Sequence, residues 1–154
     1  MSIEDLEQTP QEIKLIVTEE MRSYIYEISK WARFLSVIGF ILSAFLIIGS
    51  FGIGAAITAN PSVLAQLGPF AGAGAIGVTL IYLVLALMYF YPSLLLFKFS
   101  NKGKQGVLFG DQESLNDAMM NMKSLFKFWG IFTIVIMVCY FLFILLFAAS
   151  MAKA

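Results

Sequence analysis

Two long uncharged stretches dominate the pattern of hydrophobic and polar positions along the chain. No charged residue occurs from Phe34 to Phe97, and none occurs from Phe128 to Ala152. A helix needs about 20 apolar residues to cross the hydrocarbon core of a bilayer, so the first stretch has room for two crossings and the second for one. The pattern therefore predicts three membrane-spanning helices.

The division of the first stretch follows from helix-breaking residues. Asn60 and Pro61 interrupt it and predict a short connection between two spans. The predicted fold is an all-α integral membrane protein of one domain, with an acidic, amphipathic N-terminal helix and a cytoplasmic helical hairpin extension. Its segments are 1–33 (cytoplasmic N-terminal helix), 34–58 (first span), 59–69 (outer loop), 70–97 (second span), 98–127 (cytoplasmic hairpin) and 128–152 (third span).

The N-terminal segment carries apolar residues at helical spacing. Separations of three or four residues place them on one stripe of a helix. Such a helix either lies on the membrane surface or projects from it as an extension of the first span. We favour the projection, because the polar face is acidic and nothing breaks the helix before the span. The stripe consists of Ile13, Val17, Met21, Tyr24, Ile28 and Trp31.

The hairpin contains a residue typical of a helix end, followed by one typical of a helix start. Gly110 indicates the end of one helix, and Asp111 indicates the N-cap of the next. Glu113 suits the positive end of the new helix dipole. The new helix can run without interruption into the third span, so three long helices are expected to project beyond the lipid on one side.

Composition and charge support the membrane interpretation and set the orientation. Hydrophobic residues make up 60% of the 154 positions and charged residues only 13%, about half the usual share in soluble domains. Ten basic residues balance ten acidic ones, which offers no field for nucleic acid. Because basic residues concentrate in cytoplasmic segments, nine of the ten, all but Lys153, predict a cytoplasmic N-terminus and a C-terminus on the far side.

Small residues mark candidate helix-packing faces. In the first span Ser36, Gly39 and Ser43 lie near one face, where small side chains allow a neighbouring helix to approach closely. Gly68 and Gly72 have the GxxxG spacing of helix contacts, which serves either an internal contact or an oligomer. Gly72 also begins a GxGxxG pattern, but the strand and the acidic residue of a dinucleotide site are missing, so we interpret it as packing.

The second span contains a candidate pocket. Tyr82 and Tyr89 are seven residues apart on one face, and Pro92 lies nearby. Their hydroxyls and the backbone carbonyl freed by the proline could line a polar pocket. Ordinary interfacial tyrosines and a common proline kink explain the same residues, and we favour that explanation.

The hairpin carries a candidate partner face. Met119, Met122 and Phe126 form a soft apolar surface of the kind that receives a partner helix. Internal packing against Met21, Tyr24 and Ile28 of the first helix is the alternative, and we favour it.

The uncharged spans exclude several classes of function. Proton relays, coupled transporters and voltage sensors normally use ionisable groups inside the membrane, and none occurs here. The same absence leaves no catalytic acid, base or nucleophile in the spans. The chain has no histidine and one cysteine, Cys139, so we expect no catalytic residue, no cofactor and no metal.

Three stretches resemble a small, uncharacterised bacterial membrane family, domain of unknown function 5362. They are KWARFLSVIGF (30–40), YFYPSLLLFKFS (89–100) and DQESLNDAMMNMKSLFKFWGIFT (111–133), and the similarity covers residues 22–145. The resemblance implies an inner-membrane location and a three-helix layout, and it supplies no functional residues. One departure is Gly103 and Gly106, where better helix formers are expected.

Taken together, these features lead to two hypotheses. The first is a non-enzymatic inner-membrane protein acting through helix–helix assembly, with the lipid bilayer and either itself or another membrane protein as partners and no nucleic acid. The alternative is an oligomeric passive channel or transporter for a small solute, with Tyr82, Tyr89 and Pro92 near its path.

Overall fold

A computed structural model describes residues 17–151, without the side chains of residues 69, 70 and 146–151. Within these residues the chain is helical and contains three helices long and apolar enough to cross a membrane. The prediction of three such helices is confirmed. The stripe residue Ile13 and the termini lie outside the described residues.

The first helix, α1, runs without interruption through the predicted amphipathic segment and the first span. It covers Glu19–Ala59, with the Thr18 side chain accepting a hydrogen bond from the Met21 backbone at its start. At 1.5 Å per residue its 41 residues extend about 60 Å, twice the thickness of the hydrocarbon core. Helix α1 is therefore about twice as long as one membrane crossing requires.

The connection predicted as a loop at 59–69 contains regular turns. A short helix, α2, covers Ser62–Gln66, and a 3₁₀ helix covers Gly68–Ala73. Helix α3 then covers Gly74–Phe109, so its start lies four residues later than the sequence predicts. The reason is Gly74, whose φ of 67° ends the 3₁₀ turns before α3 begins.

Helix α3 continues through Pro92, Gly103 and Gly106 to Phe109. The two glycines remain helical because each stands where another helix comes close. Ser29 of α1 borders Gly103, and the backbone of Leu115 borders Gly106. Packing compensates for the low helix propensity of glycine.

The last helix, α4, covers Gln112–Met151, and the turn before it has the predicted end and start signals. Gly110 adopts the left-handed conformation with φ 68°. The Asp111 side chain accepts a hydrogen bond of 3.1 Å from the Glu113 backbone, and its carbonyl accepts one from Leu115. The chain thus reverses direction between α3 and α4 in a short turn.

The three long helices pack unevenly. Helices α1 and α3 lie against one another over most of their lengths, while α4 contacts α3 in its first half. A small core of Ala32, Phe99 and Ala118 brings the three helices together, with Leu96 and Met122 against it. Beyond Phe132, each described side chain of α4 up to Leu145 is exposed.

Candidate functional site

The contact between α1 and α3 is a seam of small residues. On α1, serines recur every seven residues, and on α3 small residues recur with the same period. Seven-residue spacing keeps the contact on one face of each helix as the two wrap around one another. The members are Ser29, Ser36, Ser43 and Ser50 on α1 and Thr79, Ala86, Ser93 and Ser100 on α3.

The seam contains the three packing residues predicted in the first span. Ser36, Gly39 and Ser43 are all buried. Ser93 of α3 occupies the space where a side chain at Gly39 would begin. The absence of a side chain at Gly39 therefore sets how closely α1 and α3 approach.

Hydroxyl groups add hydrogen bonds across this seam. Ser43 Oγ donates a bond of 3.0 Å to the carbonyl oxygen of Ala86. Thr79 Oγ1 lies 3.4 Å from the carbonyl oxygen of Ser50 and also donates to Ala75 of its own helix. Ser36 and Ser50 donate to carbonyls of their own preceding turns. These polar groups are thus satisfied inside the protein and offer no hydrophilic path.

The seam ends among the charged residues, where two hydroxyls differ from the others. Ser29 Oγ and Ser100 Oγ are fully buried and have no hydrogen-bond partner among the described residues. Ser29 Oγ lies directly against Gly103, at the point where α1 and α3 approach closely.

Gly68 and Gly72, the predicted GxxxG pair, lie in the 3₁₀ helix between α2 and α3. No described atom lies within 4 Å of a side-chain position at either glycine. Gly68 has φ 56°, which favours glycine for conformational reasons. The described structure therefore gives this pair no internal helix contact, and a contact within an oligomer stays a prediction.

Tyr89 lines a cavity between α3 and α4, and Pro92 follows three residues later on α3. The cavity has a volume of about 190 Å³ and an aromatic and aliphatic lining. Pro92 is buried, and its missing N–H leaves the Met88 carbonyl without its helical donor. Tyr82 is half-buried and does not line this cavity. The lining consists of Leu85, Met88, Tyr89, Phe128, Trp129 and Phe132.

The three residues of the predicted partner face have different surroundings. Met122 packs against the small core, whereas Met119 and Phe126 are 44% and 69% exposed. Met21 and Ile28, their expected internal partners, are exposed as well. The buried face of α1 at this level is instead Ser29 and Ala32, so the apolar stripe of α1 faces outward.

Two charged clusters at this end were not predicted from the sequence. Lys102 of α3 and Asp117 of α4 form an ion pair with Nζ and Oδ2 3.2 Å apart. The ring of Tyr26 lies beneath two ammonium groups, those of Lys30 at 5.5 Å and Lys104 at 5.7 Å from its centroid. The spacing of Tyr26 and Lys30 is visible in the sequence, but the approach of Lys104 depends on how α3 packs.

Asp111 combines a structural and an electrostatic role at the start of α4. Ser114 Oγ donates a hydrogen bond of 2.6 Å to Asp111 Oδ2. This bond is the main reason that the pKa of Asp111 lies below its usual value of 3.8. Desolvation raises the pKa and offsets part of this effect, while the backbone donors of Glu113 and Ser114 and the charge of Lys102 lower it further. Helix capping accounts for these contacts.

Residues 17–151 contain no cluster of three or more histidine, cysteine or acidic side chains that could hold a metal ion. Cys139 is free and exposed on α4.

Comparison with known proteins gives no match. No family model, no curated protein and no solved structure matches the chain. The resemblance to domain of unknown function 5362 stays a prediction. Interpretation of function therefore depends on the seam, the cavity and the exposed surfaces described above.

Proposed function

We propose that this chain is a non-enzymatic membrane protein that acts through helix–helix assembly, either as a homo-oligomer or as an accessory subunit of a membrane complex. The observation that carries the proposal is the exposure of Met119 and Phe126 on α4. Lys123 and Lys127 on the same stretch of helix place these side chains outside the hydrocarbon core. Apolar surface exposed to water drives association, whereas apolar surface exposed to lipid does not.

A second exposed apolar stripe lies on α1. Its members Met21, Tyr24 and Ile28 are between 43% and 62% exposed. Apolar residues at helical spacing form the kind of surface that receives a partner helix.

The non-enzymatic part of the proposal is supported by the chemistry of the spans. The uncharged stretches contain no Asp, Glu, Lys, Arg or His, and the hydroxyls of Ser36, Ser43 and Ser50 donate to backbone carbonyls. General acid–base catalysis needs a titratable group positioned next to a substrate.

A test of assembly uses the full chain in its own membrane. Two copies with different tags are expressed together, extracted in mild detergent, and analysed by affinity capture and native mass spectrometry. We expect either a self-oligomer or a stoichiometric second membrane protein. Met119→Ser with Phe126→Ser should reduce this species several-fold, and Leu108→Ser, a change of an equally exposed residue at the end of α3, should not. Monodisperse monomers without a companion would contradict the proposal.

The proposed location is the bacterial inner membrane with a cytoplasmic N-terminus, which the distribution of basic residues supports. In a Cys139→Ala background, a cysteine replacing exposed Gln66 should react with an impermeant reagent in intact cells. A cysteine replacing exposed Gln112 should react only after permeabilisation. The opposite pattern would mean the opposite orientation.

The second candidate is an oligomeric passive channel or transporter for a small solute. The cavity beside Tyr89, with Met88 in its lining, is the observation in its favour. This alternative requires that solute enters liposomes containing the protein faster than it enters empty vesicles. It also requires that the Tyr89→Phe change abolishes this difference. Equal flux with and without the protein would eliminate it.

A further inference from the structure

Helices α1 and α3 form a groove on the side away from α4. Phe90, Phe97 and Lys104 of α3 are seven residues apart and so lie along one face. Phe99 lies two positions after Phe97, which directs it to the opposite side, where it packs in the core with Ala118 of α4. We call the open side the α1–α3 groove.

The charged end of this groove gathers cations around a single ring. The ammonium groups of Lys30 and Lys104 come from different helices, and both lie within 6 Å of the Tyr26 centroid. Each gains a cation–π attraction, but two like charges at one ring repel one another. Arg33, seven residues after Tyr26 and exposed, adds a third positive charge to the same face of α1.

These cations have no carboxylate partner among the described residues. The ion pairs of residues 17–151 join Arg22 to Glu19 and Lys102 to Asp117. Glu27, exposed one residue after Tyr26, lines a hollow on α1 with Lys30 and Trp31 but forms no ion pair with Lys30. One acidic side chain beside Lys30, Arg33 and Lys104 leaves an excess of positive charge. The charged end of the α1–α3 groove is therefore complementary to an anion.

The next part of the groove is apolar and aromatic. Phe40 of α1 packs against Phe90 and Phe97 of α3, with ring centroids 5.5 and 6.1 Å apart. Beyond these rings lies a cavity of about 390 Å³ with an almost entirely apolar wall. Its lining consists of Ser43, Ile47, Leu83, Ala86, Leu87 and Phe90.

The dimensions of the apolar part match one leaflet of a bilayer. From Phe97 to Leu87 the helix rises about 15 Å, which is half the thickness of the hydrocarbon core. The uncharged stretch of α3 ends at Phe97, and Lys104 lies about 10 Å further along the helix, just beyond a headgroup layer of about 5–8 Å. The long side chain of Lys104 can bring its ammonium group back to headgroup depth. Cations at headgroup depth, followed by an apolar track one leaflet long, are complementary to a phospholipid.

We propose that the α1–α3 groove binds one anionic phospholipid. Its phosphate lies between Lys30 and Lys104, and one acyl chain lies along Phe97, Phe40 and Phe90 into the cavity beside Leu87. Basic pockets between membrane helices are known to receive anionic headgroups. The phosphate relieves the repulsion between the two ammonium groups, and the chain fills a cavity that water would not enter.

Native mass spectrometry of the delipidated full chain tests this proposal. The probes are dioleoyl phosphatidylglycerol and dioleoyl phosphatidylcholine, added separately at equal concentration. We expect one phosphatidylglycerol to remain bound with a preference of about twenty-five-fold, since each of two lysines at an anionic surface contributes roughly a factor of five. Equal retention of both lipids would overturn the proposal.

Variants separate the groove from general surface charge. Lys30→Gln with Lys104→Gln should abolish the preference for phosphatidylglycerol. Lys123→Gln with Lys127→Gln removes the same charge from α4 and should leave the preference unchanged. A preference that survives the first pair of changes and disappears with the second would assign lipid binding to α4 instead.

The cavity is tested separately from the headgroup site. Leu87→Trp fills the apolar part and should lower retention of phosphatidylglycerol several-fold, while Leu80→Trp, on an exposed part of α3 outside the lining, should not. Millimolar inorganic phosphate should fail to displace the lipid. Displacement by phosphate, or full retention in Leu87→Trp, would reduce the site to a headgroup contact and overturn the acyl-chain assignment.

Discussion

Gly106 lies directly against the backbone of Leu115, across the turn that joins α3 to α4. A side chain at Gly106 would place its Cβ 2.9 Å from the Leu115 nitrogen and 3.0 Å from its Cα. Backbone atoms cannot move aside as a flexible side chain can. The missing side chain is therefore what allows the start of α4 to pack on the end of α3.

Gly106→Ala should destabilise the protein despite the higher helix propensity of alanine. Forcing an extra methyl group into a packed site costs about 1–3 kcal/mol. Gly130→Ala is the matched control, because Gly130 is helical with no neighbour within 4 Å, and it should be neutral or stabilise by up to about 1 kcal/mol. Unfolding in detergent, followed by circular dichroism, measures both. Equal effects of the two changes would contradict the close contact.

Ser43→Ala should weaken the seam between α1 and α3. It removes the hydrogen bond to the Ala86 carbonyl, and such bonds between membrane helices contribute about 0.6 kcal/mol on average. Ser50→Ala is an equally buried control whose hydroxyl bonds within its own helix, so its effect should be close to zero. The same unfolding assay compares them, and a larger loss in Ser50→Ala would argue against an interhelical role for Ser43.

Gly74→Ala should destabilise the start of α3. With φ 67° and ψ −179°, Gly74 adopts a conformation that other residues rarely reach, at a cost of about 1–3 kcal/mol. Gly72→Ala, two residues earlier, meets open space and has an ordinary φ, so it should change stability by less than about 0.5 kcal/mol. Thermal unfolding distinguishes the two. A neutral Gly74→Ala would show that the turn tolerates another conformation.

Loss of the Asp111 side chain should make stability less dependent on acidic pH. The folded-state pKa of Asp111 lies below its usual value of 3.8, mainly because Ser114 donates to it. Its stabilising effect is therefore complete above pH 3.8 and is lost as pH falls through the lower, folded-state pKa. The difference in stability between the native protein and Asp111→Ala should shrink over that range.

Asp111→Asn is the control for the charge of that cap. It keeps a hydrogen-bond acceptor at the N-cap but does not titrate, so its stability should lack this acidic step. A stability difference between the native protein and Asp111→Ala that stayed constant down to pH 2 would contradict the lowered pKa.

Sequence reasoning identified the features that depend on local residues. The three helices follow from uncharged length, and the turn at Gly110 and Asp111 follows from capping preferences. It was less informative about which face of α1 packs inward. Apolar periodicity pointed to Met21 and Ile28, but the structure buries Ser29.

The reason is that α1 is one unbroken helix, so the small-residue face that packs in its span continues to Ser29 beyond the span. Within the span, where lipid is as apolar as a protein core, close approach rather than hydrophobicity selects the packed face. Dependence on packing also explains why the sequence did not predict the cluster around Tyr26. The meeting of Lys104 with Tyr26 depends on the packing of α1 against α3, which no local pattern specifies.

The repeating serines of the seam have a consequence for how the two helices find their alignment. A slip of α1 along α3 by seven residues, about 10 Å, would again place serines opposite small residues. The repeat alone therefore favours the original alignment and the shifted one almost equally. The correct register has to come from positions that break the repeat, where Gly39 receives Ser93 and Gly103 receives Ser29. A shifted alignment would bring side chains together where these glycines now make room.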